Sequence, residues 1–222
     1  MNPHPPFSEA EREAVYRAIA ERRDVRRGFL DVPLPDELIQ RLLTAAHSAP
    51  SVGLMQPSRF IVIRDRSIRE AVRRIFEEAN RRAADGYSAE QSEQYCRLKL
   101  EGIIEAPQNL CVLCDARSAR GHGLGRQTMP ETAVYSTVCA IQNLWLAARS
   151  EAVGVGWVSI LDPTEVCKLL NIPDHLTLVA YLCLGYVEGF ASEPDLERFR
   201  WEKRVDLTAV VSYDRYSEER TL

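Results

Sequence analysis

Apolar residues return at helical spacing in SEAEREAVYRAIAERRD, where Val15, Ala18 and Ile19 share a face behind Ser8 and Glu11 in capping-box spacing. PDELIQRLLTAAHSAP predicts a second helix, begun by Pro35 and ended by Pro50, with Leu38, Ile39, Leu42, Leu43 and Ala46 inward. RFIVIRD and NLCVLCD are short apolar runs that read as buried strands. Between them lies a helical region from about Ser67 to Glu105, broken near ADGYS. TAVYSTVCAIQNLWLAAR is apolar nearly all the way round, the mark of a helix covered on most sides. GVGWVSI is a strand led in by glycines, and DPTEVCKLLNI a short helix with Asp162 as cap and Pro163 in its first turn. TLVAYLCLGYVEG is a long unbroken apolar strand, as found in a sheet covered on both faces. From Phe190 the chain turns polar and poor in core residues, which predicts an arm.

Helices alternating with buried strands imply an α+β fold, an antiparallel or mixed sheet sandwiched by helices, as one domain over residues 1–222. A central helix without a polar face, and a tail without its own core, imply a homodimer with a large shared interface. The 222 residues suffice to bury a substantial core. The net charge of -4 argues against nucleic acid as the main partner. The opening MNPHPPFSEAEREAV lacks the apolar run of a leader, and no segment approaches the roughly 20 apolar residues that span a bilayer. A cytoplasmic protein without a membrane partner is expected. Cysteine usage fits reduced, mostly buried thiols, and Cys111 and Cys114 of CVLC sit three apart on a strand, facing opposite ways.

Several chemistries find no support. There is no phosphate-binding P-loop or dinucleotide fingerprint, and GHGLG (Gly121 to Gly125) lies in a charged segment that reads as a flexible loop. His4, His47, His122 and His175 lack ligand spacing, so no metal is expected. No G-x-S-x-G elbow marks a serine hydrolase. Three stretches remain. RRDVRR, from Arg22 to Arg27, offers planar forks suited to phosphate, although arginines at a helix C-terminus also serve its dipole. SAPSVGLMQPSRF places Ser51 and Gln56 in a loop able to hydrogen-bond a heteroaromatic ring, or simply to turn from helix to strand. AVGVGWVSILDP bares the backbone at Gly154 and Gly156, where N–H groups could donate to a flat ligand.

In this order the three stretches resemble the FMN-binding nitroreductase superfamily, over about Arg22 to Arg204. The resemblance implies a nitroreductase-like fold in a domain-swapped homodimer, with flavins at the interface and C-terminal arms wrapping the partner. It implies that Arg22, Arg23 and Arg26 hold the FMN phosphate and ribityl chain beside Asp24 and Val25, with Arg204 reaching the same phosphate from the tail. Pro50, Ser51, Val52 and Gln56 would line one side of the flavin, and Gly156, Trp157, Val158 and Ser159 the other. Arg27 has no counterpart role and reads as solvated. Residues of about 81–102, with Tyr87 and Tyr95, resemble a lid.

Asp24 stands where many members of that superfamily have serine, and APSVGLMQPSRFIVIRD and YSTVCAIQNLWLAARSEAVGVGWVSI resemble the branch that makes 5,6-dimethylbenzimidazole. That likeness implies that reduced FMN is a substrate, fragmented with O2 to the benzimidazole and erythrose 4-phosphate, a separate flavin reductase being one source of reduced FMN. Asp24 would then be the base that removes a ribityl proton, or else a structural orienter of the arginines without a proton role, and Ser159 a donor that steers the flavin peroxide. Neighbouring arginines lower a carboxylate pKa and burial raises it, and sequence leaves that balance open. Alternatives are an NAD(P)H-dependent nitroreductase that recycles FMN, a reductase of cobalt in corrinoids, and a module that stores or senses FMN.

Overall fold

The computed structural model describes residues 6–216; His4 and the end of the expected arm, 217–222, lie outside them. Helix α1 (Glu9–Glu21) begins as its sequence predicts: the Ser8 hydroxyl accepts from the Glu11 amide, and the Glu11 carboxylate accepts from the Ser8 amide at 2.8 Å. Its apolar face is nevertheless left open, with Val15 and Ile19 about half exposed. The chain leaves α1 extended at Arg22 and pairs Asp24 with Val155 in an isolated parallel bridge.

That bridge lies on the edge of a four-stranded sheet. Strands β1 (Ser58–Ile63), β2 (Gln108–Cys114), β3 (Val153–Val158) and β4 (Thr177–Tyr186) run in the order β1-β2-β4-β3, with every neighbouring pair antiparallel. β4 is continuously apolar because both its faces are covered, and successive side chains go to opposite sides. Leu182 and Leu184 join Leu42 of α2 (Asp36–His47) and Leu144 of α5 (Thr132–Ser150) on one side. Tyr181 and Cys183 join Val72 of α3 (Arg66–Ala84) and Val166 of α6 (Pro163–Leu169) on the other. Cys111 belongs to this second core and Cys114 packs with Met55 and Ala133, so the CVLC thiols do separate. Burial pushes Cys111 up to about 12, which leaves it an inert thiol.

Two expectations need correction. β1 is not a buried strand: only Ile63 is fully covered, because β1 is an edge with a neighbour on one side. The helical region ends well before Glu105. After α3 the chain turns and re-enters a helix, α4 (Ala89–Cys96), capped by Ser88, and beyond Arg97 it runs irregularly into the core. Buried Arg69 of α3 donates to the carbonyls of Ala106 at 2.5 Å and Ile104 at 3.3 Å, replacing helical hydrogen bonds there. Among the described residues the tail from Phe190 carries a short α-helix, α7 (Asp195–Arg198), and a 3-10 turn at Leu207–Ala209. Among the described residues no helix is long and apolar enough to cross a membrane.

Candidate functional site

The end of α1 delivers its arginines into a cavity of about 130 Å3, lined by Arg22, Arg23, Asp24, Arg26, Asp195 and Arg204 among others. Four guanidiniums thus face two carboxylates. Arg22 lies over the Trp145 ring at 4.8 Å, and its pKa is lowered by burial and by the like charges of Arg204 and Arg23, against the pull of Asp24. Arg23 donates to the carbonyls of Ala20 and Arg22, each at 2.8 Å, and to that of Ser192 at 2.5 Å. The Nε atoms of Arg23 and Arg26 are buried without a hydrogen-bond partner. Surplus positive charge and unspent buried donors together suit a phosphate, whose oxygens accept from several guanidiniums at once.

Asp24 sits inside this cradle. Its Oδ1 accepts from the Trp157 amide at 3.0 Å and its Oδ2 pairs with Arg26 Nη2. Burial raises its pKa above the usual carboxylate range, outweighing the Arg26 charge, the Trp157 hydrogen bond and Arg22, with Asp195 adding to the rise. The balance that sequence left open thus falls to burial.

The glycines of β3 are explained by Asp24 as well. A Cβ on Gly156 would lie 2.1 Å from the Val25 carbonyl oxygen, and one on Gly154 would lie 2.5 Å from Val187 Cγ1 and 3.2 Å from the Val25 methyl groups. The missing side chains therefore admit the Arg22–Arg26 segment, which corrects the expectation of a bare face turned to a flat ligand. The Trp157 N–H is likewise spent on Asp24. Val25 and Val158 are buried core residues, and Trp157 packs 6.4 Å from Trp145. Ser159 follows β3, is exposed, and lies two extended residues, about 6.6 Å, beyond Trp157.

The second expected wall stands elsewhere. Val52 donates its amide to Ser136 Oγ at 3.0 Å, near the start of α5, whereas the arginine cradle is tied to the far end by Trp145 Nε1 donating to the Arg23 carbonyl at 3.1 Å. Nine residues of helix separate these anchors, about 13.5 Å at 1.5 Å per residue. Pro50, Ser51, Val52 and Gln56 line neither of the two cavities that border Asp24. Within one chain the structure gathers Arg22 to Arg26, Trp157 and Arg204, and leaves the Ser51 loop apart.

GHGLG is not a free loop. Gly121, at φ +73, abuts Gly53, at φ +55, so closely that a Cβ on Gly121 would meet the Gly53 oxygen at 2.4 Å. Arg27 is not merely solvated either. It pairs with Asp195 at 3.6 Å, lies over the Phe199 ring, and lines a cavity of about 350 Å3 between Arg23–Gly28 and the tail. The tail also reaches the expected lid: Trp201 meets Tyr87 edge-on at 5.5 Å and Tyr95 at 6.1 Å. Sequence reading missed Trp145, Ser192, Asp195 and Trp201. Trp145 was hidden inside an all-apolar helix, and the other three lie in a tail without periodicity. Among the described residues no cluster suits a metal ion.

Comparison with known proteins places the chain in a family. The Nitroreductase family profile matches residues 19–186. A 5,6-dimethylbenzimidazole synthase of Rhodospirillum rubrum is 44% identical over 204 residues, covering 92% of this chain and 96% of that protein. One from Rhodobacter capsulatus is 42% identical over 199 residues, covering 90% and 96%. Iodotyrosine deiodinase, solved with FMN and 3-iodo-L-tyrosine, superimposes with a TM-score of 0.73 at 24% identity, covering 91% of this chain and 100% of that one, a likeness of fold.

Proposed function

The chain belongs to the nitroreductase family, and we propose that within it this protein is a 5,6-dimethylbenzimidazole synthase that takes reduced FMN as substrate. The observation that carries the reading is a half-buried carboxylate of raised pKa, Asp24, set inside an arginine cradle with unspent donors. Arg22, Arg23, Arg26 and Arg204 bind the FMN phosphate. Reduced FMN as substrate and O2 as oxidant would supply the chemistry: the benzimidazole keeps the dimethylbenzene ring, its two attached nitrogens and one ribityl carbon, while the pyrimidine part of the flavin is cleaved away and erythrose 4-phosphate leaves.

Asp24 lies where the phosphate anchors the ribityl chain, and it removes the proton from the carbon that joins the new ring. Burial makes it a stronger base than an exposed aspartate, and the Trp157 amide fixes its orientation through Oδ1. Proton acceptance falls to Oδ2, once phosphate draws Arg26 away from it. Ser159, exposed beyond β3, donates a hydrogen bond toward the reacting face of the flavin.

The active unit is a homodimer. Val15, Tyr16 and Ile19 of α1, and Tyr135 and Val138 of α5, are exposed apolar positions on two helices that a second copy would cover. A second copy would also bring a Ser51 loop to the cradle from which its own chain's loop stands apart. Residues of about 81–102 form the lid, held to the tail through Trp201. FMN reaches the site reduced by a separate flavin reductase.

Aerobic incubation with excess reduced FMN, followed by mass spectrometry of the small molecules, tests the reading. Appearance of 5,6-dimethylbenzimidazole with matching loss of FMN is expected. Intact FMN after many turnovers with NAD(P)H and a nitroaromatic acceptor would show a recycling nitroreductase instead.

A further inference from the structure

The glycine-rich segment that sequence reading set aside is built against the loop carrying Gln56. Backbone at Gly53, Leu54 and Gln56 lies in the left-handed region, at φ +55, +54 and +48. For leucine and glutamine that conformation is strained and persists only when neighbours hold it. The holding contacts are explicit. The Gln56 amide donates to Ser51 Oγ at 3.1 Å, and the Val52 amide to Ser136 Oγ at 3.0 Å. Gly121 seats its backbone against Gly53, and a Cβ on Gly125 would lie 2.7 Å from Val52 Cγ2. Arg126 ties the segment back to the carbonyls of Ala116 at 2.6 Å and Ser118 at 2.7 Å.

The side chain of Gln56 is held as firmly as its backbone. Arg120 Nη2 donates to Gln56 Oε1 at 3.1 Å, and Gln56 Nε2 lies 3.2 Å from His47 Nε2. A guanidinium can only donate, so the amide oxygen must face Arg120 and the NH2 must face the imidazole. His47 Nε2 then accepts from that NH2. Each amide atom keeps one position spare, a lone pair on Oε1 and a hydrogen on Nε2. Arg120, together with His47, therefore fixes where a ligand meets an acceptor and where it meets a donor.

We propose that Arg120, docked on the Gln56 loop by the Gly121–Gly125 segment, is a positioning residue that sets the orientation of the Gln56 amide toward the flavin ring. This rests on the reading above in which Gln56 lines the flavin. Without Arg120 only the His47 contact orients the amide, so the donor and acceptor that it presents are no longer fixed from both sides, while the phosphate cradle at the far end of α5 is untouched.

The test compares Gln56→Ala, Arg120→Ala, Arg120→Lys and the double variant Gln56→Ala/Arg120→Ala in the full-length protein. FMN affinity is read from fluorescence quenching, ring environment from the visible absorption and circular dichroism of bound FMN, and turnover from benzimidazole release. Arg120→Ala is expected to hold Kd within about 3-fold, shift the flavin bands and lower kcat on the order of 10-fold, the scale of a misplaced reacting group. Arg120→Lys keeps a donor and recovers part of that loss. The double variant should be no worse than Gln56→Ala, because an arginine acting only through the amide has nothing further to lose. Wild-type bands and kcat in Arg120→Ala, or losses that add in the double variant, would overturn the inference. If Gln56→Ala alone changes neither bands nor kcat, Gln56 does not face the ring, and the site reading beneath the inference fails first.

Discussion

Asp24 is ionised at neutral pH only against the cost of burial, which raises its pKa despite Arg26, the Trp157 amide and Arg22. For a carboxylate with a raised folded-state value, the folded protein holds a proton that the unfolded chain has already released. Stability therefore falls as pH climbs from the ordinary value of 3.8 through the raised one, and stays lowered above it. Asparagine at this position keeps an oxygen for the Trp157 amide and carries no charge to desolvate. Asp24→Asn should thus melt higher than wild type at pH 7 without ligand, with the gain vanishing below the ordinary carboxylate range. Thermal melts across pH check this, and a lower Tm for the variant at pH 7 would count against the electrostatic argument. The arginines and Asp24 were legible in the sequence as an unusual run of four like charges with an acid inside it. Which influence governs the acid was not, because the cover that the fold places over Asp24, the Trp157 amide and the Asp195 charge all come from parts of the chain far away.

At the scale of elements, β3 and the segment after α1 form one device. Gly156 leaves room for the Val25 carbonyl, Val25 N–H donates to the Val155 carbonyl at 3.0 Å, and Asp24 caps the Trp157 amide. Gly156→Ala would force this segment off the sheet edge, at about 2 kcal/mol for overpacking. That corresponds to a Tm loss of roughly 4–8 °C at this chain length. Benzimidazole formation should fall further than stability alone explains, since Asp24 moves with Val25. Unchanged Tm and rate in Gly156→Ala would show that the segment has slack. The glycines were visible in sequence, but their reason was not: a bared strand looks the same whether ligand or protein backbone fills the space. Helix α1 and the buried strands β2 and β4 were read correctly because their period and caps are local. The end of the helical region after α4 was not, because buried Arg69 supplies the hydrogen bonds from another element.

In the molecule as a whole, the sheet and its two helical layers hold the arginine cradle at one end of α5 and the Ser51 loop at the other. The apolar run of α5 announced more cover than one chain provides, and Tyr135 and Val138 remain exposed. The tail was expected as an arm without core, yet through Trp201, Arg204 and Asp195 it joins Tyr87, the arginine-lined cavity and Arg27. No periodicity marks such a segment, so its contacts were invisible before the fold. In the proposed reaction these features serve one acid beside an anchored ribityl chain. The direct measurement is a single turnover of bound reduced FMN with O2, comparing wild type with Asp24→Asn at equal FMN occupancy. The expected result is benzimidazole from wild type and, from the variant, tightly held FMN with product formation slowed at least about 100-fold, the contribution of a positioned base. Product from Asp24→Asn at near the wild-type rate would contradict the assignment of that proton transfer to Asp24.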